Sequence, residues 1–282
     1  MNGPAADNDQ YLRSLYSLQG QSAIVTGGTG ALGSAIASAL AMAGARVGVL
    51  GRRRKVAEEL ASQIKKRGGE AIAIPADVLD RASLIAARDH VIQEWGGLQA
   101  LVNAAGGNTK AATVAEGSDP FAMSEAAFRE VVDLNLTGTL LPSLVFGEAM
   151  VRSGGGAIVN ISSMSASRAL TRVAGYGAAK AGVESLTRSL AAELGQHHGD
   201  SIRVNAIAPG FFVGEQNRSL LLREDGSLTR RGEAIIGHTP ANRFGVPEDL
   251  VGAVVWLCGP SARFVNGVVI PIDGGFNAFS GI

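Results

Sequence analysis

Tyr176 and Lys180 are the residues of this chain best suited to move a proton. They stand four positions apart in a stretch, 176–194, that reads as a helix, so both side chains share one face. An ammonium beside a phenol favours the phenolate and draws the tyrosine pKa below its usual ~10. A phenol adjusted in this way is a usable general acid/base near neutrality. Ser163 lies thirteen positions upstream, at the end of an expected strand. Its hydroxyl could hydrogen-bond the oxygen of a carbonyl or alcohol substrate. A Tyr–Lys pair of this spacing is by itself more often surface decoration, so its reading depends on the company it keeps.

A second constellation suits a nucleotide. Residues 26–33 (TGGTGALG) lie between the first expected strand and the first expected helix, and Gly28, Gly30 and Gly33 fit G-x-G-x-x-G. Backbone N–H groups and a helix N-terminus meet a pyrophosphate only where no Cβ intervenes. Gly27, Thr29 and Leu32 belong to the same turn. Sites for NAD usually place Asp or Glu at the end of the second strand. Here that strand runs into 49–55 (VLGRRRK), with no carboxylate and four cations at the start of a helix. The macrodipole favours anions there. A 2′-phosphate gripped by Arg52 or Arg53 answers the conflict, which favours NADP(H) and leaves NAD(H) open. A solvated charge run screened by salt is the alternative. Asp77 and Val78 follow the third strand, where the Asp77 carboxylate could accept from an adenine amino group or cap a turn. Asn103, Ala104 and Gly106 end the fourth strand with small residues against which a cofactor could lie.

The elements needed to position these groups are legible. Short apolar runs at 22–26, 46–50, 71–75, 100–103, 157–162, 202–207 and 268–272 alternate with helical stretches at 31–43, 54–66, 81–95, 124–152, 176–194 and 247–257. Such alternation predicts right-handed βαβ units and a parallel sheet. The expectation is one α/β, Rossmann-like doubly wound domain over 20–282, with seven parallel strands and helices on both faces. Residues 1–19 read as a tail or short lead-in helix. Residues 211–243 break the rhythm with scattered glycines and charges. They follow a strand end, where open α/β sheets bind ligands, and read as a substrate lid.

Composition narrows the classes. The chain has 282 residues, 46% hydrophobic and 18% charged, which excludes a disordered chain. A formal net charge of zero argues against a nucleic-acid partner. No stretch suggests a signal peptide or a membrane span, and the one cysteine, Cys258, permits no internal disulfide. A cytoplasmic setting follows as an expectation. His90, His197, His198 and His238 lack metal-ligand spacing, so no metal site is expected. Phe276 and Phe279 near the C-terminus read slightly better as subunit contacts than as core.

Taken together, residues 26–33, 103–106, Asn135, Ser163, Tyr176-x-x-x-Lys180 and Pro209-Gly210 resemble the short-chain dehydrogenase/reductases in order and spacing, over about residues 18–282. The resemblance implies that Tyr176 is the acid/base, that Ser163 orients the reacting oxygen, and that Lys180 lowers the tyrosine pKa and binds the nicotinamide ribose. It further implies that Asn135 holds a relay water through a helix kink, that Pro209, Gly210, Phe212 and Val213 lie near the nicotinamide, and that the chain forms a homotetramer or dimer. Ala31 departs from the family's usual T-G-x-x-x-G-x-G, which places Gly there. Segments 103–108 (NAAGGN), 134–142, 161–166 (ISSMSA), 208–217 (APGFFVGEQN) and 274–282 are similar to the D-mannonate oxidoreductase (fructuronate reductase) branch. That likeness implies a sugar-acid substrate near Asn108, Met164, Phe211, Gln216, Asn217 and Arg218. Its carboxylate wants a cation, for which Arg218, Arg172, Arg168 and Lys110 all qualify. The branch is associated with NAD(H), against the cation argument. A 3-oxoacyl thioester or other ketone reductase is the alternative enzyme, and a non-catalytic NADP(H)-binding regulator is the alternative of another class.

Overall fold

The computed structural model describes residues 4–214 and 217–282. Seven strands form one sheet: β1 (Ser22–Thr26), β2 (Arg46–Gly51), β3 (Glu70–Pro75), β4 (Ala100–Asn103), β5 (Gly156–Ile161), β6 (Ile202–Pro209) and β7 (Val269–Ile272). Their order is β3-β2-β1-β4-β5-β6-β7, and every pairing is parallel. The order reverses between β1 and β4, which opens the crevice where such sheets hold ligands.

Parallel strands covered on both faces need continuous apolar runs. β1, β4 and all eight residues of β6 are buried accordingly. On one face pack α2 (Ala31–Met42), α3 (Arg54–Lys66) and α10 (Glu248–Cys258), through Ile36, Leu40, Ile64, Leu250 and Leu257. On the other lie α4 (Arg81–Trp95), α6 (Gly138–Arg152) and α7 (Ala174–His198), through Leu84, Phe146, Met150 and Ala191.

Most element bounds fall within two residues of the sequence expectation. The lead-in segment forms α1 (Pro4–Tyr16), and Leu18 behind it is fully buried, its N–H donating to Ala43 O at 2.8 Å. Burial of one leucine is worth about 1.5–3 kcal/mol, so this segment is docked on the core.

The helical stretch expected at 124–152 is divided. α5 (Glu125–Val132) passes through a π-helical turn at Asp133–Thr137 into α6. The Gly138 N–H donates to the Asp133 carbonyl, five residues back. Pro142, one turn on, cannot donate to the Gly138 carbonyl, which loosens the ladder at this point. The 28-residue run Glu125–Arg152 is long and apolar enough to cross a membrane, but more than half of its most apolar window is buried, as in a core helix.

After β6 the chain forms α8 (Arg218–Leu221), a short turn bridged between Leu222 and Leu228, and α9 (Arg230–Gly237). Leu221 and Ile235 anchor these pieces by burial. Phe276 packs within its own chain, edge-on to Phe211 at 5.2 Å and to His238 at 4.9 Å. This corrects the expectation of a subunit contact for Phe276: the tail folds back and supplies its own cover. Phe279 also meets His238, at 5.1 Å.

Candidate active site

The turn from β1 to α2 is built on missing side chains. Gly27 has φ +61°, and a Cβ there would stand 2.6 Å from Ala104 O. A Cβ on Gly33 would collide with the Gly27 carbonyl oxygen. The turn therefore lies directly on the end of β4, and α2 starts tightly against it. Gly28 N–H donates to Leu50 O at 3.0 Å and Gly30 N–H to Gly27 O at 2.9 Å. Gly30 is the N-cap of α2 with no side-chain cap, so the first-turn N–H groups face the crevice without a protein acceptor there. Ala31 is the first helical residue and is exposed, so its methyl intrudes on nothing in the turn. Leu32 is half-buried, with its side chain packed on the core.

The cations after β2 are exposed, and three of them have protein partners. Arg53 Nη2 donates to Thr29 O at 2.6 Å and lies 3.3 Å from Thr29 Oγ1, tying the β2 end to the glycine turn. Arg52 Nη1 lies 3.9 Å from Asp77 Oδ2. Asp77 Oδ1 accepts from Leu79 N–H at 3.0 Å, so Asp77 is also the turn cap that the sequence left open. α3 has no acidic residue in its first turn and no side-chain cap at Arg53. Replacing Arg52 and Arg53 by Ala should raise the KM for NADPH about 10-fold or more and that for NADH far less, as judged by initial rates; equal effects would remove the 2′-phosphate assignment.

The side chains of Asn103 and Val78 are both buried. The Asn103 amide is buried and donates to Ser143 Oγ at 2.9 Å and Asn160 Oδ1 at 2.8 Å. Only its main chain borders the crevice. Val78 is buried, and a Cβ on Gly138 would stand 3.0 Å from its Cγ2.

Lys180 and Asn135 converge on the loop after β4. A Cβ on Gly106 would lie 2.6 Å from Asn135 Oδ1 and 3.2 Å from Lys180 Nζ. The π turn presents Asn135, fully buried, as a two-way clamp on Gly107. Its Nδ2 donates to Gly107 O at 2.7 Å and Val131 O at 2.8 Å, and its Oδ1 accepts from Gly107 N–H at 3.0 Å. Its carbonyl accepts from Thr139 Oγ1 at 2.8 Å. The side chain is thus committed to positioning the loop, and any water it holds would sit on the main chain alone.

Tyr176 and Lys180 lie in the first two turns of α7, as their spacing predicts. Lys180 Nζ is 5.6 Å from the centre of the tyrosine ring and donates to Ile161 O at 2.7 Å. Ser163 follows β5 and caps a 3-10 turn, accepting from Ser165 N–H at 3.2 Å; its side chain also hydrogen-bonds the phenol. The electrostatics differ from the sequence expectation. Burial raises the Tyr176 pKa above 10, and the Ser163 hydrogen bond only partly offsets it. Burial also lowers Lys180, to about 8, so its charge is mostly kept at neutrality and is lost as pH rises through that value. The phenol is therefore held protonated, ready to donate.

The residues expected around the substrate divide into two groups. Asn108 donates to Thr113 Oγ1 at 2.7 Å while its buried Oδ1 has no partner, which suits a ligand hydroxyl. Phe211 rests on Phe276, and Gly210 meets Asp273, beside which Phe212 is bridged to Gly245. Pro209 ends β6, and Val213 is half-buried beyond it. Asn217 is occupied internally: Nδ2 donates to Phe212 O at 2.9 Å, and Oδ1 accepts from Gly214 N–H at 2.8 Å. Met164 is buried as core. Arg168 is held by Asn277, with Nε 3.1 Å from Asn277 O. These three side chains are corrected from substrate contacts to structural ones, because their polar or apolar surface is already satisfied. Arg218 and Lys110 are exposed, and Gln216 lies outside the described residues. Two groups went unassigned from sequence, Glu116 and Arg231. The paired arginines at 230–231, inside the irregular segment, were the available signal.

A doubly wound parallel sheet, a glycine turn at its switch point and a buried phenol–ammonium–hydroxyl set define a dinucleotide-dependent oxidoreductase of CH–OH groups. A family model described as enoyl-(acyl carrier protein) reductase matches residues 28–277. The chain belongs to the short-chain dehydrogenase/reductase family. It is 42% identical over 275 residues to an uncharacterised oxidoreductase, UxuB, of Bacillus subtilis, covering 94% of this chain and 98% of that one. It is 36% identical over 261 residues to a D-threitol dehydrogenase of Mycolicibacterium smegmatis, covering 93% and 94%. A crystal structure from Haemophilus influenzae, provisionally assigned as a D-mannonate oxidoreductase and holding NAD, is 36% identical with a TM-score of 0.88, covering 96% of this chain and 100% of that one.

Proposed function

We propose that the chain is an NAD(P)-dependent oxidoreductase that interconverts a secondary alcohol and a ketone of a sugar acid such as D-mannonate and D-fructuronate, with NADP(H) preferred. The observation that carries the reading is the convergence of Lys180 and Asn135 on Gly106 beside the Tyr176 phenol, at the sheet's switch point. The glycine turn and the ends of β4 and β6 would hold NAD(P), which when bound would supply or accept a hydride. Tyr176 donates its proton to the forming alkoxide in reduction and takes it back in oxidation. Ser163 orients the same oxygen, and Lys180 supplies positive charge while protonated. Segment 211–243 covers the substrate. Arg52 and Arg53 support NADP(H), whereas the NAD held by the Haemophilus influenzae relative supports NAD(H). Assembly as a homotetramer or dimer and a cytoplasmic setting complete the proposal.

The protonation states set the pH dependence. A phenol held above its ordinary pKa is an acid at neutrality and a base only at higher pH. Ketone reduction should fall as pH rises, and alcohol oxidation should climb over the same range; pH–rate profiles in both directions check this. A neutral polyol is the second reading, supported by the D-threitol dehydrogenase relative. A panel of D-fructuronate, 5-keto-D-gluconate, D-threitol and an acetoacetyl thioester, run with both nucleotides, tests these assignments. Turnover of the acids ahead of the others supports the sugar-acid reading, and turnover of D-threitol or the thioester alone overturns it.

A further inference from the structure

We propose that Arg172 and Arg231 together receive the carboxylate of an acidic substrate, with Glu116 as their exchangeable counterion. The inference rests on the sugar-acid reading and names the groups that enforce it.

Arg172 lies one turn of chain before Tyr176 and has φ +76°. Among the described residues only Arg172 and Asn242 are non-glycine with positive φ. Such a backbone is strained and persists where surroundings enforce it. Here two bonds to one residue enforce it. Arg172 Nε donates to Val114 O at 2.7 Å, and Val114 N–H donates to Arg172 O at 3.0 Å. The guanidinium is thereby aimed, with Nη1 and Nη2 left beyond the Val114 contact. Nη1 stands 3.6 Å from Glu116 Oε2.

Arg231 approaches from α9. It is half-buried and interacts electrostatically with both Arg172 and Glu116. Its placement is fixed by Gly232, where a Cβ would collide with Leu221 O, and by Thr229 Oγ1, which accepts from Gly232 N–H at 3.1 Å. Arg172 is paired with the Glu116 carboxylate and Arg231 lies near both, so the three groups together carry a net positive charge. The Glu116 side chain is 89% exposed against 26% for Arg172, and its nearest approach exceeds a hydrogen bond. Such a pair is weak and screened. A ligand carboxylate that meets both forks at hydrogen-bond distance displaces it.

The pair is also in the right place. Ala112 belongs to the small cluster against which Tyr176 packs, and Val114 holds Arg172. Two residues of chain reach at most roughly 7 Å, so the Arg172 guanidinium lies in the neighbourhood of the Tyr176 ring. The other candidate cations are less suited: Arg168 is bound to Asn277, and Arg218 and Lys110 are exposed.

The test is a matched pair of ketones: D-fructuronate, and D-fructose, which carries CH2OH in place of the carboxylate. In Arg231→Gln the acid-to-neutral ratio of kcat/KM should fall about 50-fold, mainly through KM for the acid, the loss expected for charge-assisted hydrogen bonds. Arg231→Lys, which keeps the charge, should recover part of it. Glu116→Gln should move the ratio the other way, about 3-fold upward, since it removes a weak competitor. Acid turnover that persists in Arg231→Gln with an unchanged ratio overturns the inference and leaves the sugar-acid reading standing. A wild type that reduces D-fructose and ignores D-fructuronate overturns both.

Discussion

Tyr176→Phe should lower kcat by about 10³-fold in both directions while the dissociation constant for NADPH changes by less than about 3-fold. In the proposed reaction the hydroxyl exchanges a proton with the substrate oxygen, and the ring is the group that packs. Phe keeps the ring against Ala112, Ala127 and Val131. It deletes only the oxygen that Ser163 meets. Stability should therefore hold, because a buried hydroxyl with one partner is exchanged for a hydrogen and the Ser163 hydroxyl retains its bond from Ser165 N–H. Single-turnover kinetics beside nucleotide titration separate the two quantities. A variant with near-normal kcat would mean that another acid serves.

The second large effect belongs to Lys180. Lys180→Met should reduce kcat/KM by about 100-fold, the scale seen when one preorganised electrostatic donor is removed. It should also abolish a pH dependence that wild type shows. The lysine pKa is lowered to about 8 by burial, so its charge fades as pH rises through that value. Wild-type affinity for the anionic nucleotide should weaken across the same window, and the variant's affinity should stay flat. The thermal effect is the smaller one. Met fills the volume and ends the desolvation of an amine, but it leaves the Ile161 carbonyl without its 2.7 Å donor. Nucleotide titrations at several pH values, beside Tm for both proteins, check the two statements.

The frame was readable because its signals are local and repeated. Apolar runs ending in glycine mark the parallel strands, and the 176–180 spacing places both catalytic side chains on one helix face. Gly27 and Gly33 are needed for close approach, a requirement that a sequence displays directly. The Tyr176 pKa was misjudged because spacing reports a neighbouring charge and says nothing of desolvation, which depends on what covers the site. Asn217 and Met164 illustrate another limit. Their chemistry suits a ligand, yet Asn217 spends both amide ends on its own loop and Met164 sits in the core. The π turn at Asp133–Thr137 shifts the hydrogen-bond ladder by one residue, which leaves no mark on hydrophobic periodicity. Glu116 and Arg231 are separated by more than a hundred positions of chain, so only the folded structure brings their charges near each other.

The central claim is that a proton on Tyr176 and a hydride on nicotinamide are exchanged with one carbon–oxygen bond. The most direct measurement mixes wild-type protein, NADPH and D-fructuronate and follows the absorbance of the reduced nicotinamide, with Tyr176→Phe in parallel. The account predicts steady loss of that absorbance with wild type and at least a hundred-fold slower loss with the variant. Tight nucleotide binding with no absorbance change across sugar acids, polyols and thioesters would contradict it.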